Sequence, residues 1–162
     1  MLITDGGSGQ TVEDVLRALG AALDERHATG VALIEVPEGL MVRARVTPAP
    51  GDPADGPRVS MERAFGHKEF LEQRMAALQL RGSTHRAGPV ERALRVMGRY
   101  IDAHDLQQVT LMEHDARQGW MLWHRSRTAA RHLLVTFDHA EIERAAAVAQ
   151  QSREGMPVAA EA

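Results

Sequence analysis

Apolar residues recur at helical spacing near the start of the chain. They stand at positions i, i+3, i+4, i+7 and i+11: Val12, Val15, Leu16, Leu19 and Leu23. A helix turns once in about 3.6 residues, so these side chains share one face. The spacing predicts an amphipathic helix over about residues 11–27, and the same pattern returns over residues 90–105.

Three strands are predicted to follow the first helix. Residues 31–36 form a short β-rich run, and residues 40–46 alternate apolar with polar or longer side chains, as a strand with one wet face does. Residues 48–57 hold four prolines and two glycines, which predicts a loop. A third strand over residues 58–65 and a second helix over residues 67–80 complete the unit.

The second half of the chain repeats the first. A shift of 78 positions lays residues 12–36 on residues 90–114 without a gap, and nine of the 25 positions are identical. The identical pairs are Val12/Val90, Glu13/Glu91, Leu16/Leu94, Arg17/Arg95, Gly20/Gly98, Asp24/Asp102, Val31/Val109, Leu33/Leu111 and Glu35/Glu113. Residues 65–70 then match residues 137–142 at another offset, as expected if loops between the strands differ in length. The chain is therefore predicted to be a tandem duplication.

The predicted fold class is α+β, built from two αβββα units related by a pseudo-two-fold axis, with antiparallel sheets and helices packed on one face. The predicted organisation is a first repeat over 11–80, a linker over 81–89, a second repeat over 90–152, and tails over 1–10 and 153–162. The second repeat is expected to hold strands near 107–114, 119–125 and 131–137 and a last helix over 139–152. The two sheets either join edge to edge into six strands or pack face to face. A unit of about 70 residues is only marginally stable by itself, so the two repeats are expected to fold as one body. The two-fold axis indicates descent from a homodimer.

Composition narrows the class of protein. The chain of 162 residues is 44% hydrophobic, only 4% aromatic, and carries a formal net charge of −3. That charge gives no general attraction to nucleic acid or to an anionic membrane. There is no cysteine, which excludes disulfides and thiolate metal sites, and no segment approaches the roughly 20 apolar residues of a membrane span. We expect a cytoplasmic protein.

A Phe-x-His-x-Glu-(Phe/Ile) motif occurs twice. One interpretation is a metal or acid–base pair, made by His67 with Glu69 and by His139 with Glu141. The favoured interpretation is a variant of the helix capping box, in which a glutamate reaches back to the N–H of the cap residue three positions earlier. The caps are then Gly66 and Asp138, and hydrophobic staples are predicted between Phe65 and Phe70 and between Phe137 and Ile142.

Gly20 and Gly98 lie inside the predicted helices, where each costs about 1 kcal/mol relative to alanine. They indicate either a close approach to the partner repeat's equivalent helix or inheritance without a role. Glu35 and Glu113 end the first strand of each repeat on the face expected to meet the helices. A paired, partly buried carboxylate and a catalytic acid are alternatives, but a strand end that reaches solvent is favoured.

The pairs Glu13–Arg17 and Glu91–Arg95 have i,i+4 spacing. They are interpreted as ion pairs on a solvated helix surface, each contributing about 0.2–0.5 kcal/mol, and they require no functional explanation.

The second repeat is rich in histidine. Its histidines are His104, His114, His124, His132 and His139. His114 and His124 flank a predicted hairpin turn, which would bring them near one another, and His132 begins the next strand. An enzyme hypothesis combines these three residues with Glu113. The histidines lack the spacing of known zinc motifs, so no metal and no cofactor are expected.

The strand over residues 119–125 carries both tryptophans, and both of its faces are apolar. Two helices can cover only one face of each three-stranded sheet. By alternation the uncovered face holds Met112, Trp123 and Leu134 in the second repeat, and Ile34, Met41, Arg43, Arg45 and Ser60 in the first. An apolar patch of this kind marks an interface or groove, or else it is buried between the two repeats.

These observations favour a non-catalytic binding or assembly module of a bacterial-type cytosolic protein. Its partner is expected to be another protein or a second copy in a homodimer, rather than nucleic acid or membrane. The predicted contact residues are Met112, Trp123, Arg125, Leu134, Arg43 and Arg45.

Two alternatives remain open. One is a small metal-dependent or acid–base enzyme that uses the second-repeat histidines and glutamate. The other is nucleic-acid binding through Arg43, Arg45, Arg58 and Arg125. The element order is similar to that of double-stranded-RNA-binding domains, whose second helix starts with several lysines. Here that position holds only Lys68 beside Glu69 in the first repeat and no lysine in the second, so no family is assigned.

Overall fold

The computed structural model describes residues 11–37, 39–48, 59–81, 86–114, 118–125 and 131–154. Ten elements follow one another: α1 (Val12–Glu25), β1 (Thr29–Val36), β2 (Gly39–Val46), β3 (Val59–Phe65), α2 (His67–Arg81), α3 (Pro89–His104), β4 (Gln107–His114), β5 (Gly119–Arg125), β6 (His132–Asp138) and α4 (His139–Glu154). The predicted elements all form, and their ends lie within two residues of the predicted ones. Arg58, all but the first residue of the predicted loop over residues 48–57, and the predicted tail over residues 1–10 lie outside the described residues. The predicted tail over 153–162 also lies outside them except for residues 153 and 154, which belong to α4.

The strands make one six-stranded antiparallel sheet in the order β3-β2-β1-β4-β5-β6. The four helices pack against it, so the fold is α+β. Strands β1 and β4 meet at the centre, where Leu33 lies opposite Leu111. The three-stranded sheets of the two halves therefore join edge to edge, and the face-to-face alternative is wrong.

The core lies between the sheet and the helix pair formed by α1 and α3. Alternate strand residues such as Leu33, Leu111 and Leu122 are almost completely buried against Leu16 and Leu94 of the helices. Leucine, valine, alanine and methionine fill most of this layer, as the low aromatic content requires. Burial of such side chains stabilises a fold by about 1.5–3 kcal/mol each.

A bulge interrupts β1 and β4 at equivalent positions, 78 residues apart. The register shifts between Thr29 and Ala32 in β1 and between Gln107 and Thr110 in β4. Gly30 has φ +60° and Gln108 has φ +51°, which is the left-handed conformation that bulged residues adopt. The bulges confine direct pairing of β1 with β4 to three residues of each strand.

The capping box at the start of α4 is confirmed. The Asp138 N–H donates to Glu141 Oε2 at 2.9 Å, and the Glu141 N–H donates to Asp138 Oδ1 at 2.7 Å. At α2 the Gly66 N–H donates to Glu69 Oε2 at 3.0 Å, which is the half of the box that a glycine cap allows. This hydrogen bond, together with one from Arg63, lowers the pKa of Glu69. The two hydrophobic staples stay predictions, and the side chains of Phe65 and Phe70 are outside the described part of the structure.

Candidate functional site

The repeated glycines lie where α1 crosses α3. A Cβ atom on Gly20 would lie 2.6 Å from the Cα of Glu91, and one on Gly98 would lie 2.7 Å from the Cα of Glu13. Both distances are shorter than any real Cβ contact, so the two helix backbones approach as closely as glycine permits. The interpretation of these glycines as a close approach to the partner helix is confirmed.

Two aspartates cap the helix pair in a reciprocal manner. The Asp102 carboxylate in α3 accepts hydrogen bonds from the N–H groups of Val12 and Glu13 at 3.0 and 2.9 Å. Asp24 in α1 accepts from two N–H groups in the first turn of α3 at 3.0 and 2.8 Å. Each helix thereby satisfies donors that the other leaves unpaired at its N-terminus. Burial raises the pKa of both aspartates above 3.8, although these hydrogen bonds oppose the shift. The repetition of these aspartates was visible in the sequence, but their capping role was not.

The glutamates and arginines of the helix pair bridge the two helices. Arg17 Nε lies 3.2 Å from Glu91 Oε1, and both side chains are buried. Glu13 Oε1 lies 2.9 Å from Arg95 Nε and 2.8 Å from Arg99 Nη2. The predicted i,i+4 pairs on a solvated surface are therefore wrong, because the glycine crossing brings each arginine within reach of the opposite helix. Burial acts to raise the pKa of Glu13, but hydrogen bonds from Arg99 and Arg95 outweigh it and lower that pKa below 4.5.

Glu35 and Glu113 each bind a backbone N–H group beside the bulge of the opposite central strand. Glu35 Oε2 accepts a hydrogen bond from the Val109 N–H at 3.0 Å, and Glu113 Oε2 accepts one from the Val31 N–H at 3.2 Å. Each carboxylate replaces a backbone carbonyl that the bulged strand does not supply. The favoured prediction, that these strand ends simply reach solvent, is wrong. The alternative of a paired, partly buried carboxylate is the one observed.

The residues of the enzyme hypothesis are not brought together. His114 lies opposite Gly119, whereas His132 lies opposite Arg125 at the other end of β5. Six residue steps along β5 separate those ends, which is about 20 Å. His124 is buried on the helix-covered face, where its Nδ1 has no hydrogen-bond partner among the residues that the structure describes. The prediction that His114 and His124 lie near one another is wrong, because the hairpin register separates them.

Within the described ranges no group of three or more histidine, aspartate or glutamate side chains is placed to hold a metal ion. A shallow groove of about 280 Å³ does lie at the ends of β4, β5 and β6, lined in part by His114, Trp120 and Phe137. Its two carboxylates, Asp138 and Glu141, form the capping box of α4. Both carboxylates among the described lining residues are therefore engaged in hydrogen bonds of the capping box.

The sheet has a second face, which lies opposite the face that the helices cover. Cross-strand partners in an antiparallel sheet share a face, so the register identifies its members. One row runs through Met41, Ile34, Thr110, Trp123 and Leu134. The neighbouring row runs through Glu62, Arg43, Ala32, Met112, Met121 and Thr136. We call this surface the open face.

The open face is apolar at its centre and exposed to solvent. Leu134 is 50% exposed, Met112 38% and Ile34 36%, which are high values for large apolar side chains in a sheet. Met121 and Trp123 beside them are half-buried. The predicted alternative, burial of this surface between the two repeats, is wrong because the halves join at their edges.

Arginines flank the apolar centre. Arg43 Nη2 forms an exposed ion pair with Glu62 Oε2 of β3 at 2.7 Å. Arg45 and Arg125 lie at diagonally opposite corners, each at the end of its strand. All six residues predicted from the sequence as contact residues thus share the open face: Arg43, Arg45, Met112, Trp123, Arg125 and Leu134.

None of the helices in the described ranges has both the length and the apolar content needed to cross a bilayer. Comparison of the chain with protein-family models, with curated protein sequences and with solved structures finds no match. The open face is therefore interpreted from its own geometry.

Proposed function

We propose that this protein is a non-catalytic binding and assembly module that uses its open face to contact another protein surface. The observation that carries the proposal is the exposure of Ile34 and Met112 on the two adjacent central strands and of Leu134 on the edge strand β6, with the half-buried Trp123 of β5 beside it. Contiguous apolar surface costs free energy in water, and on soluble proteins it marks sites that a partner covers. Methionine suits such a site because its unbranched side chain adapts to different neighbours.

Four glutamates of the described residues have structural roles, which supports a non-catalytic function. Glu13 and Glu91 bind arginines across the helix pair, and Glu35 and Glu113 bind backbone N–H groups. These side chains hold the two halves together. The proposal includes a cytoplasmic location, which agrees with the absence of cysteine.

We also propose that the chain arose by tandem duplication and that its halves are related by a pseudo-two-fold axis through the Leu33–Leu111 pair. This proposal is supported by contacts that occur in pairs, in which each residue of one contact is 78 residues from its counterpart in the other. The caps, the cross-helix ion pairs and the glutamate–backbone bonds each occur twice with the halves exchanged. Positive φ values also recur at that spacing, at His27 with Asp105 and at Gly30 with Gln108.

Methionine footprinting tests the binding function. Mild oxidation of cells that express the full chain, followed by mass spectrometry, measures how far Met112 is protected. Met75, 57% exposed on α2, is the internal control. We expect Met112 to be oxidised several times more slowly in cells than Met75. Equal oxidation of the two residues in cells would show that the open face is uncovered and would contradict the proposal.

A further inference from the structure

We infer that the surface covering the open face is a second copy of this chain. The two sheets stack face to face, so that they form two inner layers and the helices of each copy form the outer layers. This inference rests on the proposed function, because it identifies the partner of the same surface.

The area of the open face suits a dimer of moderate affinity. Six strands spaced by about 4.8 Å, with about six residues each at 3.3 Å, make a face of about 29 by 20 Å. Stacking two such faces removes about 1,200 Å² of surface from solvent, at the lower end of the range for specific complexes. Interfaces of similar area range from micromolar to much tighter affinities, and we take a dissociation constant on the order of micromolar as the value to test.

The shape of the face also matches that of a second sheet. Sheets stack about 10 Å apart through side chains that interdigitate, with their strands aligned to within about 30°. The open face offers such side chains across its four inner strands, from Met41 in β2 to Trp123 in β5. Ala32 and Thr110 lie between the larger residues and leave room for side chains of the partner.

The charges permit this stacking. Arg45 lies at one end of β2, whose other end is Gly39, and Arg125 lies at one end of β5, whose other end is Gly119. A two-fold axis in the plane of the face can run parallel or perpendicular to the strands. Either axis places each arginine over the glycine end of a partner strand. Like charges therefore do not oppose one another, and the Arg43–Glu62 pair is already neutral.

Sedimentation velocity of the purified full chain over a range of concentrations is the test. We expect a dimer of twice the 17.8 kDa chain mass at tens of micromolar. Met112→Glu places a carboxylate from each copy in the apolar interface, and it is expected to weaken the dimer on the order of 100-fold. Met75→Glu is the matched control on the helical side of the molecule, and it is expected to leave the dimer unchanged.

A second variant, Leu134→Glu, guards against a folding defect at one position, and circular dichroism checks that every variant is folded. The inference is overturned if the parent chain is monomeric at hundreds of micromolar, or if a dimer survives both substitutions on the open face. A monomeric parent whose Met112 is nevertheless protected in cells would overturn the second copy as partner and leave the binding function standing. Oxidation of Met112 in cells as fast as Met75 would refute both.

Discussion

Replacing either crossing glycine by alanine tests how closely α1 and α3 approach. At an ordinary position inside a helix, glycine to alanine stabilises a protein by about 1 kcal/mol. Here the new methyl group of Gly20→Ala would lie 2.6 Å from a backbone atom, the Cα of Glu91, and Gly98→Ala would create the same clash with Glu13 at 2.7 Å. A backbone atom cannot rotate away as a side chain can, so the helices must separate.

The expected change in the free energy of unfolding is the sum of three contributions. Overpacking of a filled core costs about 1–3 kcal/mol, and separation of the helices also weakens the aspartate caps, which contribute about 1 kcal/mol. The gain in helix propensity offsets about 1 kcal/mol of this. We expect each alanine variant to lose about 1–3 kcal/mol of the free energy of unfolding. The double variant should lose less than the sum, since one displacement relieves both clashes.

Equilibrium urea unfolding, followed by far-ultraviolet circular dichroism at one protein concentration, measures these changes. Ala22→Gly, at an exposed position of α1, calibrates helix propensity and should cost about 1 kcal/mol. A Gly20→Ala or Gly98→Ala variant that is more stable than the parent chain would refute the close crossing.

Three further predictions concern the same helix pair. Arg17→Met should lower the free energy of unfolding in urea by about 3–5 kcal/mol, because it removes the arginine that binds the buried Glu91. Adding Glu91→Leu should restore much of the lost stability. A single variant as stable as the parent would contradict the prediction. Asp24→Ala and Asp102→Ala should each cost about 1 kcal/mol, and clearly unequal costs would argue against equivalent caps. The folded state lowers the pKa of Glu13, so its stabilising effect is present above about pH 4.5 and is lost as the pH falls through the lowered pKa. The difference in unfolding free energy between the parent and Glu13→Gln should therefore shrink in acid, and a difference that grows below pH 4 would reverse the assigned sign.

Local pattern was sufficient to predict the elements and the open face. Helix periodicity and strand alternation depend on neighbours a few residues apart, so the bounds of β2, β5 and α2 could be predicted within two residues. The same alternation placed Met112, Trp123 and Leu134 on one face. The order of the strands could not be predicted, because edge-to-edge and face-to-face joining satisfy the same alternation.

The contacts across the helix pair could not be predicted from the sequence, for a different reason. Glu13 and Arg17 have the spacing of a pair within one helix, and only the crossing of the helices decides that Arg17 binds Glu91 instead. The role of Glu35 likewise depends on a bulge in a strand that is distant in sequence. Sequence identity at the spacing of 78 residues was the available signal, since several of the identical residues line the surface between the two halves.

That surface has a consequence for refolding. Each half can form its three-stranded sheet through nearby residues, whereas the contact between β1 and β4 joins segments 78 residues apart and should form late. At that stage each half can contact the same glycine, aspartate and arginine residues in another chain as in its own chain. We therefore expect refolding at high protein concentration to produce strand-exchanged oligomers, in which halves of different chains are paired, and dilution to favour the closed single chain.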